Sequence, residues 1–313
     1  MTWHSIHIFY QKEQDDFLVQ CIEPLAQSLK KDKLITQLFF LRYWKQGPHI
    51  RLRFFVPEGK YNSQVPDMVC DQITNYLTQH PSSSEIDEEL YKEVQERYSM
   101  LEQEELTDLE LVPNNTWRIE QYKPEYTKYG GSRGVAIAEE FFDRSTTCAF
   151  LLLSEMRDVP TRRLGIGFIM MLLGVSQFDI PVEEMPAFFN RYHRFWSRYI
   201  VGETTSMWEK KLKEHWDSLY KSARTVLSQK RLPQPAFEMW RDTMRHTSEL
   251  LYASADEVLE AVTLAGPDMP KQQRREFLLF NYLHTHNNRL GNYPGDEAYL
   301  AFLGEQIVKS IIK

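Results

Sequence analysis

Signals for several large classes of protein are missing from these 313 residues. Cysteine is scarce: Cys21, Cys70 and Cys148 lie far apart, and no CxxC occurs. That spacing excludes a disulfide scaffold and a zinc ribbon, and three scattered cysteines fit a reducing cytosol. No GxxxxGK[ST] or GxGxxG run is present, so nothing points to ATP or NAD. HExxH is absent as well. His284 and His286 stand at i, i+2, which cannot share a helical face, so no metal and no other cofactor is expected. The longest apolar run, "GIGFIMMLLGV" near 165–175, is too short to span a bilayer and reads as a buried helix. The opening residues lack a basic region followed by an apolar core, so no signal peptide, no membrane association and a cytoplasmic location are expected. Positive charge is not in excess either. With 37 Lys and Arg against 44 Asp and Glu, the formal charge is −7, and no global field favours nucleic acid.

What is present is a core-forming composition, 42% hydrophobic and 26% charged, with Trp, Tyr and Phe plentiful. Against this acidic background one stretch is conspicuous: "RYWKQGPHIRLRFF", residues 42–55. As a strand, 49–56 puts Ile50, Leu52, Phe54 and Val56 on one face. His49, Arg51 and Arg53 take the other, with neighbours about 7 Å apart. Two arginines this close repel unless a carboxylate or an anionic ligand lies between them, so the pattern asks for a partner. A plain solvated sheet face is the alternative reading.

The first sixty residues read as β-α-β-β: a strand over 3–10, a helix with Phe17, Cys21, Leu25 and Leu29 on one stripe, and strands over 34–44 and 49–56. "KQGP" between the last two makes them an antiparallel hairpin. Residues 57–110 look helical and polar, with Ser84 and Asp87 suggesting a helix start. "PNNTWRIEQYKPEY" suggests a loop into a further strand. "KYGGSRG" (128–134) is either a tight turn or a set of backbone amides able to meet an anion. From 132 onward nearly everything is helical, with prolines 181, 233, 235 and 270 marking helix starts. The last helix carries Leu300, Leu303, Ile307 and Ile311 on one face. The expectation is one α+β domain over 1–313. It has a small, mostly antiparallel sheet within a sheet-rich part (1–130), packed with a predominantly helical part (131–313).

A second polar cluster, "LHTHNNRLG" (283–291), ends an apolar helical stripe. His284 and Asn288 are four apart and share a face. The segment reads either as a pocket wall or as a helix stop built from Asn, Arg289 and Gly.

Three segments, "FFLRYWKQGPHIRLRF", "YKPEYTKYGG…AEEFF" and "HTHNNRLG…EAYLAFL", occur in this order. Through them the chain resembles, nearly end to end, the stand-alone proteins of thiopeptide-type bacteriocin biosynthesis. These are related to the C-terminal elimination domain of lantibiotic dehydratases. The resemblance implies β-elimination of glutamate from glutamylated Ser or Thr of a ribosomally made precursor peptide, leaving dehydroalanine or dehydrobutyrine. By resemblance Arg51 and Arg53 hold the glutamyl ester or its leaving carboxylate, and His284 moves the proton. His49, Glu125, Lys128, Tyr129, Asn288 and Arg289 are implied as substrate-binding. The implied partners are a leader-bearing precursor peptide and a separate tRNA-dependent glutamylating enzyme, with no direct contact to nucleic acid.

One departure stands out. Elimination domains usually read Tyr-x-Arg-Glu-x-x-Arg-Tyr-Gly-Gly, whereas here Pro124 precedes Glu125 and Lys128 replaces the second arginine. A second branch of the family, the thiopeptide pyridine synthases, joins two dehydroalanines in a formal cycloaddition with loss of the leader. That branch stays open as an alternative, as does a non-catalytic leader-binding module that takes the peptide as an added strand.

Overall fold

The computed structural model describes residues 2–12, 14–59, 63–83, 86–102, 105–156, 162–202, 204–264, 266 and 268–313. Among the described residues four strands are present: β1 (Thr2–Phe9), β2 (Gln37–Tyr43), β3 (His49–Val56) and β4 (Thr116–Glu120). The helices of the first part are α1 (Gln14–Phe17), α2 (Glu23–Lys31), α3 (Val65–Gln79) and α4 (Glu88–Glu102). Then follow α5 (Tyr126–Tyr129), α6 (Gly131–Met156), α7 (Arg163–Ser176), α8 (Met185–Trp196) and α9 (Thr205–Leu227). The last are α10 (Pro235–Ala253), α11 (Ala255–Ala261), α12 (Lys271–Leu290) and α13 (Pro294–Ile311). The α+β class is as expected. The residues cluster into two compact units, one of Met1–Pro124 with Leu153–Arg157, the other of Glu125–Leu152 with Asp158–Lys313. Among the described residues no helix is long and apolar enough to cross a membrane.

In the first unit the sheet order is β2-β3-β1-β4, antiparallel throughout. The register pairs Phe9 with His49, His7 with Arg51 and Ser5 with Arg53. On the other side of β1, His7 faces Arg118. Side chains alternate along a strand, so this register gathers the polar positions onto one face. Ile6, Ile8, Leu38, Phe40, Ile50, Leu52 and Phe54 fill the opposite face, each at most 1% exposed. Burying one such side chain contributes about 1.5–3 kcal/mol, which fixes the register.

The hairpin turn is held from several sides. Gln46 and Gly47 adopt positive φ. The Gln46 N–H donates to Gln95 Oε1 at 2.5 Å, and Tyr91 donates to the Trp44 carbonyl at 2.7 Å. The early helix departs from the simple stripe. Residues Leu18–Ile22 form a π-helical turn just before Pro24. Proline has no N–H to continue the i→i−4 ladder, and the wider turn absorbs the defect. The extra residue rotates the apolar stripe, so Ala26 is buried in place of Leu25. Asp87 Oδ1 accepts the Leu90 N–H, starting the next helix; Ser84 lies outside the described residues.

In the second unit α7 is buried along most of its length, as its apolar run requires. Helix α13 lies against α8, with Gly304 directly over the Phe189 ring; a Cβ there would come within 2.9 Å of it. Leu300, Leu303 and Ile307 are buried, and Ile311 is half-buried. The double glycine resolves into a turn. Gly130 has φ of 90° and caps α5, and a Cβ on it would sit 2.3 Å from the Val258 carbonyl of α11. With its backbone pressed against α11, this segment is a packing device rather than an anion cradle.

Candidate functional site

Among the described residues, chemistry-bearing side chains gather in two places, one in each unit. On the polar face of the sheet, Arg51 lays its guanidinium over the Tyr43 ring, 3.2 Å from the centroid, and its Nε reaches His49 Nε2 at 3.4 Å. Arg53 lies over Tyr122, 4.8 Å from that centroid. Arg118 bonds Gln46 Oε1 at 2.6 Å and pairs with Glu120 at 2.7 Å. Aromatic faces attract guanidinium groups and hold them flat.

The two histidines of this face do not add charge. Burial, reinforced by Arg51, His49, Arg53 and Arg118, pushes His7 down to about 2. Burial also lowers His49 to about 3, with Arg51 and Arg118 contributing and the Gly47 carbonyl opposing. Both stay neutral at physiological pH, and the positive charge resides on arginine alone. His49 is 1% exposed, with Nδ1 2.9 Å from the Gly47 carbonyl and its ring against Phe9, Tyr43 and His7. His49, expected among the substrate-binding residues, is thus placed as a buried prop beneath Arg51.

In the second unit His284, on α12, directs Nδ1 at Glu297 Oε1 of α13, 2.7 Å away. Glu297 is completely buried, while the His284 side chain keeps 27% exposure. Tyr192 of α8 donates to Glu297 Oε2, and Asn287 Nδ2 reaches the same oxygen at 3.4 Å. Asn292 in turn donates to Asn287 Oδ1 at 3.0 Å. The Trp196 indole stacks on the imidazole at 4.2 Å and 21°. Burial raises the Glu297 carboxyl, and the charge and hydrogen bonds of His284, Tyr192 and Asn287 pull it back. A fully buried carboxylate is costly unless its oxygens are satisfied, and three donors do so here.

Other expected site residues fall close by or out of reach. Glu125 and Lys128 pair with each other at 3.2 Å. Tyr129 is 2% exposed, with its ring against Phe142 and Tyr282. Asn288 is half-buried on α12, and its carbonyl accepts the Gly291 N–H where Gly291 ends the helix with φ of 79°. Arg289, also expected to bind substrate, lies deeper still. It is 0% exposed and donates to Thr146 Oγ1 at 3.1 Å, Ser145 Oγ at 3.3 Å and the Thr285 carbonyl at 3.0 Å. It ties α12 to α6 inside the unit. No group of His, Cys, Asp and Glu among the described residues is arranged to hold a metal ion.

Sequence reasoning missed Glu297, Tyr192 and Trp196. Glu297 opens the quoted "EAYLAFL", but nothing in its spacing says that it returns to His284 thirteen residues earlier. Tyr192 and Trp196 stand four apart on α8 and so share a face, which was a usable signal. His7 and Arg118 were missed because strand order is not written in a single sequence.

Residues 3–308 match the family described as "Lantibiotic biosynthesis dehydratase C-term", and the chain belongs to that family. Among particular proteins, it is 23% identical over 191 residues to the subtilin biosynthesis protein SpaB of Bacillus subtilis. That stretch is 60% of this chain and only 15% of SpaB, so the similarity concerns a small part of the larger protein. Among solved structures it is similar to the pyridine synthase TbtD from thiomuracin biosynthesis, with a TM-score of 0.81 at 17% identity over 99% of each chain. It also resembles the tRNA-dependent lantibiotic dehydratase MibB from Microbispora sp. 107891, with a TM-score of 0.62 at 17% identity, over 99% of this chain and 28% of that one. A third likeness is to TsrL, with a TM-score of 0.64 at 16% identity, over 99% of this chain and 95% of the other. At these identities the structural likenesses establish a shared fold.

Proposed function

We propose that the protein removes glutamate from glutamylated Ser or Thr residues of a precursor peptide by β-elimination. The observation that carries this reading is the sheet face on which Arg51 and Arg53 stand beside two histidines held neutral. Such a face is positive, aromatic-lined and insensitive to pH near neutrality. It suits a carboxylate that departs with a full negative charge, whereas a cycloaddition between neutral dehydroalanines has no equivalent need.

The step is balanced without a cofactor. His284 removes the Cα proton of the esterified residue. The electrons of that C–H bond form the Cα=Cβ double bond, and the Cβ–O bond breaks. Its electron pair leaves on the glutamate carboxylate, the kind of anion that guanidinium groups stabilise. The glutamyl ester has to be supplied by a tRNA-dependent glutamylating activity. MibB, described as a tRNA-dependent dehydratase, is several times longer than the part this chain covers.

A second reading is kept for a specific reason. Where elimination members carry an arginine, this chain has Lys128, and that lysine is paired with Glu125. A lysine so engaged offers no bidentate fork to a carboxylate. On that reading the protein is a pyridine synthase, as TbtD is named.

The test gives the purified protein two peptides of one pathway, one glutamylated and one already containing dehydroalanines, and follows each by mass spectrometry. Loss of glutamate from the first supports elimination. An untouched ester together with a macrocycle from the second supports cycloaddition. Tight leader binding with neither product leaves only a recruiting module.

A further inference from the structure

We infer that Glu297 is a positioning residue which, through an asymmetric set of donors, fixes His284 as the Nδ1–H tautomer and so makes Nε2 the proton-accepting atom. The inference deepens the proton-transfer role assigned above and rests on that reading for its catalytic consequence only.

The asymmetry lies in which oxygen each donor uses. Tyr192 and Asn287 both donate to Oε2, while His284 meets Oε1. A carboxylate accepts at both oxygens and donates at neither, so the Nδ1 facing it must carry the proton. Neutral imidazole then has its lone pair on Nε2. The His284 side chain keeps 27% exposure although its Nδ1 faces a completely buried carboxylate. Trp196 covers one ring face and prevents rotation.

The neighbours on each packed element fit a single electrostatic partner. Helix α13 brings Glu297, and α8 brings the Tyr192 phenol and the Trp196 indole. Asn281 on α12 itself bonds the Phe277 carbonyl at 2.7 Å. In the turn at 197–199, Arg198 bonds the Phe195 carbonyl and lies over the Phe195 ring at 4.2 Å.

The same asymmetry dictates what an amide would do. In Glu297→Gln the two donors at the Oε2 position draw the amide oxygen there. The NH2 group is left facing His284 Nδ1 and donates to it. The proton is displaced to Nε2, and the accepting atom turns inward. Shape is conserved and the tautomer inverts. In the serine-protease triad, the equivalent carboxylate-to-amide change lowers kcat by about 10⁴-fold for this reason.

The experiment is long-range 1H–15N NMR on full-length protein with 15N-labelled histidine, assigned with His284→Gln. Wild type is expected to show His284 as the Nδ1–H form, Glu297→Gln the Nε2–H form, and Glu297→Asp the Nδ1–H form again. An Nε2–H wild type, or one tautomer common to wild type and Glu297→Gln, overturns the inference. Should Glu297→Gln fail to fold by circular dichroism, Tyr192→Phe serves in its place. It removes one donor at Oε2 and keeps the carboxylate facing Nδ1, so His284 is expected to remain the Nδ1–H form; an Nε2–H form overturns the inference. On turnover of glutamylated peptide, Glu297→Gln is expected to lower kcat at least a hundredfold with KM within about threefold. The tautomer readout needs no substrate. If elimination is absent in wild type, the functional reading fails while the tautomer result still decides the inference.

Discussion

His284 and His286 are two residues apart on one helix, and each stacks on a tryptophan: Trp196 at 4.2 Å for the first, Trp240 at 3.9 Å for the second. Their surroundings differ in every other respect. His284 is partly exposed and faces a carboxylate. His286 is 1% exposed, meets Ser145 Oγ at 2.9 Å and lies beside Arg289. Burial first, and Arg289 second, push His286 well below the ordinary histidine range. On the proposed reading one ring exchanges a proton with a ligand, whereas the other is kept neutral as part of the core. The sheet histidines His7 and His49 belong with the second kind. A histidine near arginines is thus no sign of catalysis; what matters is an acidic partner and an open edge.

Exchanging the two roles by mutation is the strongest way to break this comparison. His284→Ala is expected to lower elimination of glutamate by about 10²–10⁴-fold with the fold intact. His286→Ala is expected to cost about 2–4 kcal/mol of stability, while the folded fraction retains near-normal turnover. Peptide mass spectrometry and thermal unfolding on both variants check this. Equal loss of activity in the two would erase the distinction.

The arginines of the sheet come next. Arg53→Ala is expected to leave glutamyl esters on the peptide, and Arg53→Lys is expected not to restore elimination, because an ammonium lacks the planar fork. Full rescue by lysine, measured by mass spectrometry, would reduce the face to a source of net charge.

Stability against pH sharpens the comparison from the other side. His7, His49 and His286 are neutral when folded and bind a proton in the unfolded chain below the ordinary 6.5. The unfolded state gains from acid, so stability falls as pH drops through about 6.5. The slope is up to about 1.4 kcal/mol per pH unit for each histidine. It continues down to the folded values, about 3 for His49 and about 2 for His7. Urea unfolding between about pH 7.5 and about pH 5 measures the slope, and His286→Leu is expected to make it shallower. The smallest effect is assigned to Lys128→Ala. Its ion pair with the half-exposed Glu125 contributes about 0.2–1 kcal/mol, and turnover is expected to change less than twofold.

Much of the fold was legible because it follows from periodicity. Alternation in 49–56 gave β3 to the residue, and the buried helix at 165–175 follows from its apolar run. The π turn before Pro24 was not legible, since it depends on how the chain resolves a lost hydrogen bond. Of the candidate site, Arg51, Arg53 and His284 could be named from pattern and family resemblance. Glu297 could not, because a carboxylate in the first turn of a helix reads as an ordinary complement to the helix dipole until α13 is laid against α12. His49 and Arg289 show the reverse limit. Their polarity suggested contact with a ligand, and tertiary packing turned both inward.

The most direct measurement is single-turnover mass spectrometry of a glutamylated precursor peptide, with wild type and His284→Ala side by side. Conversion of the ester to a dehydroamino acid by wild type, with the ester persisting in the variant, is the predicted result. An ester left intact by wild type, or cleared equally fast by both proteins, would contradict it.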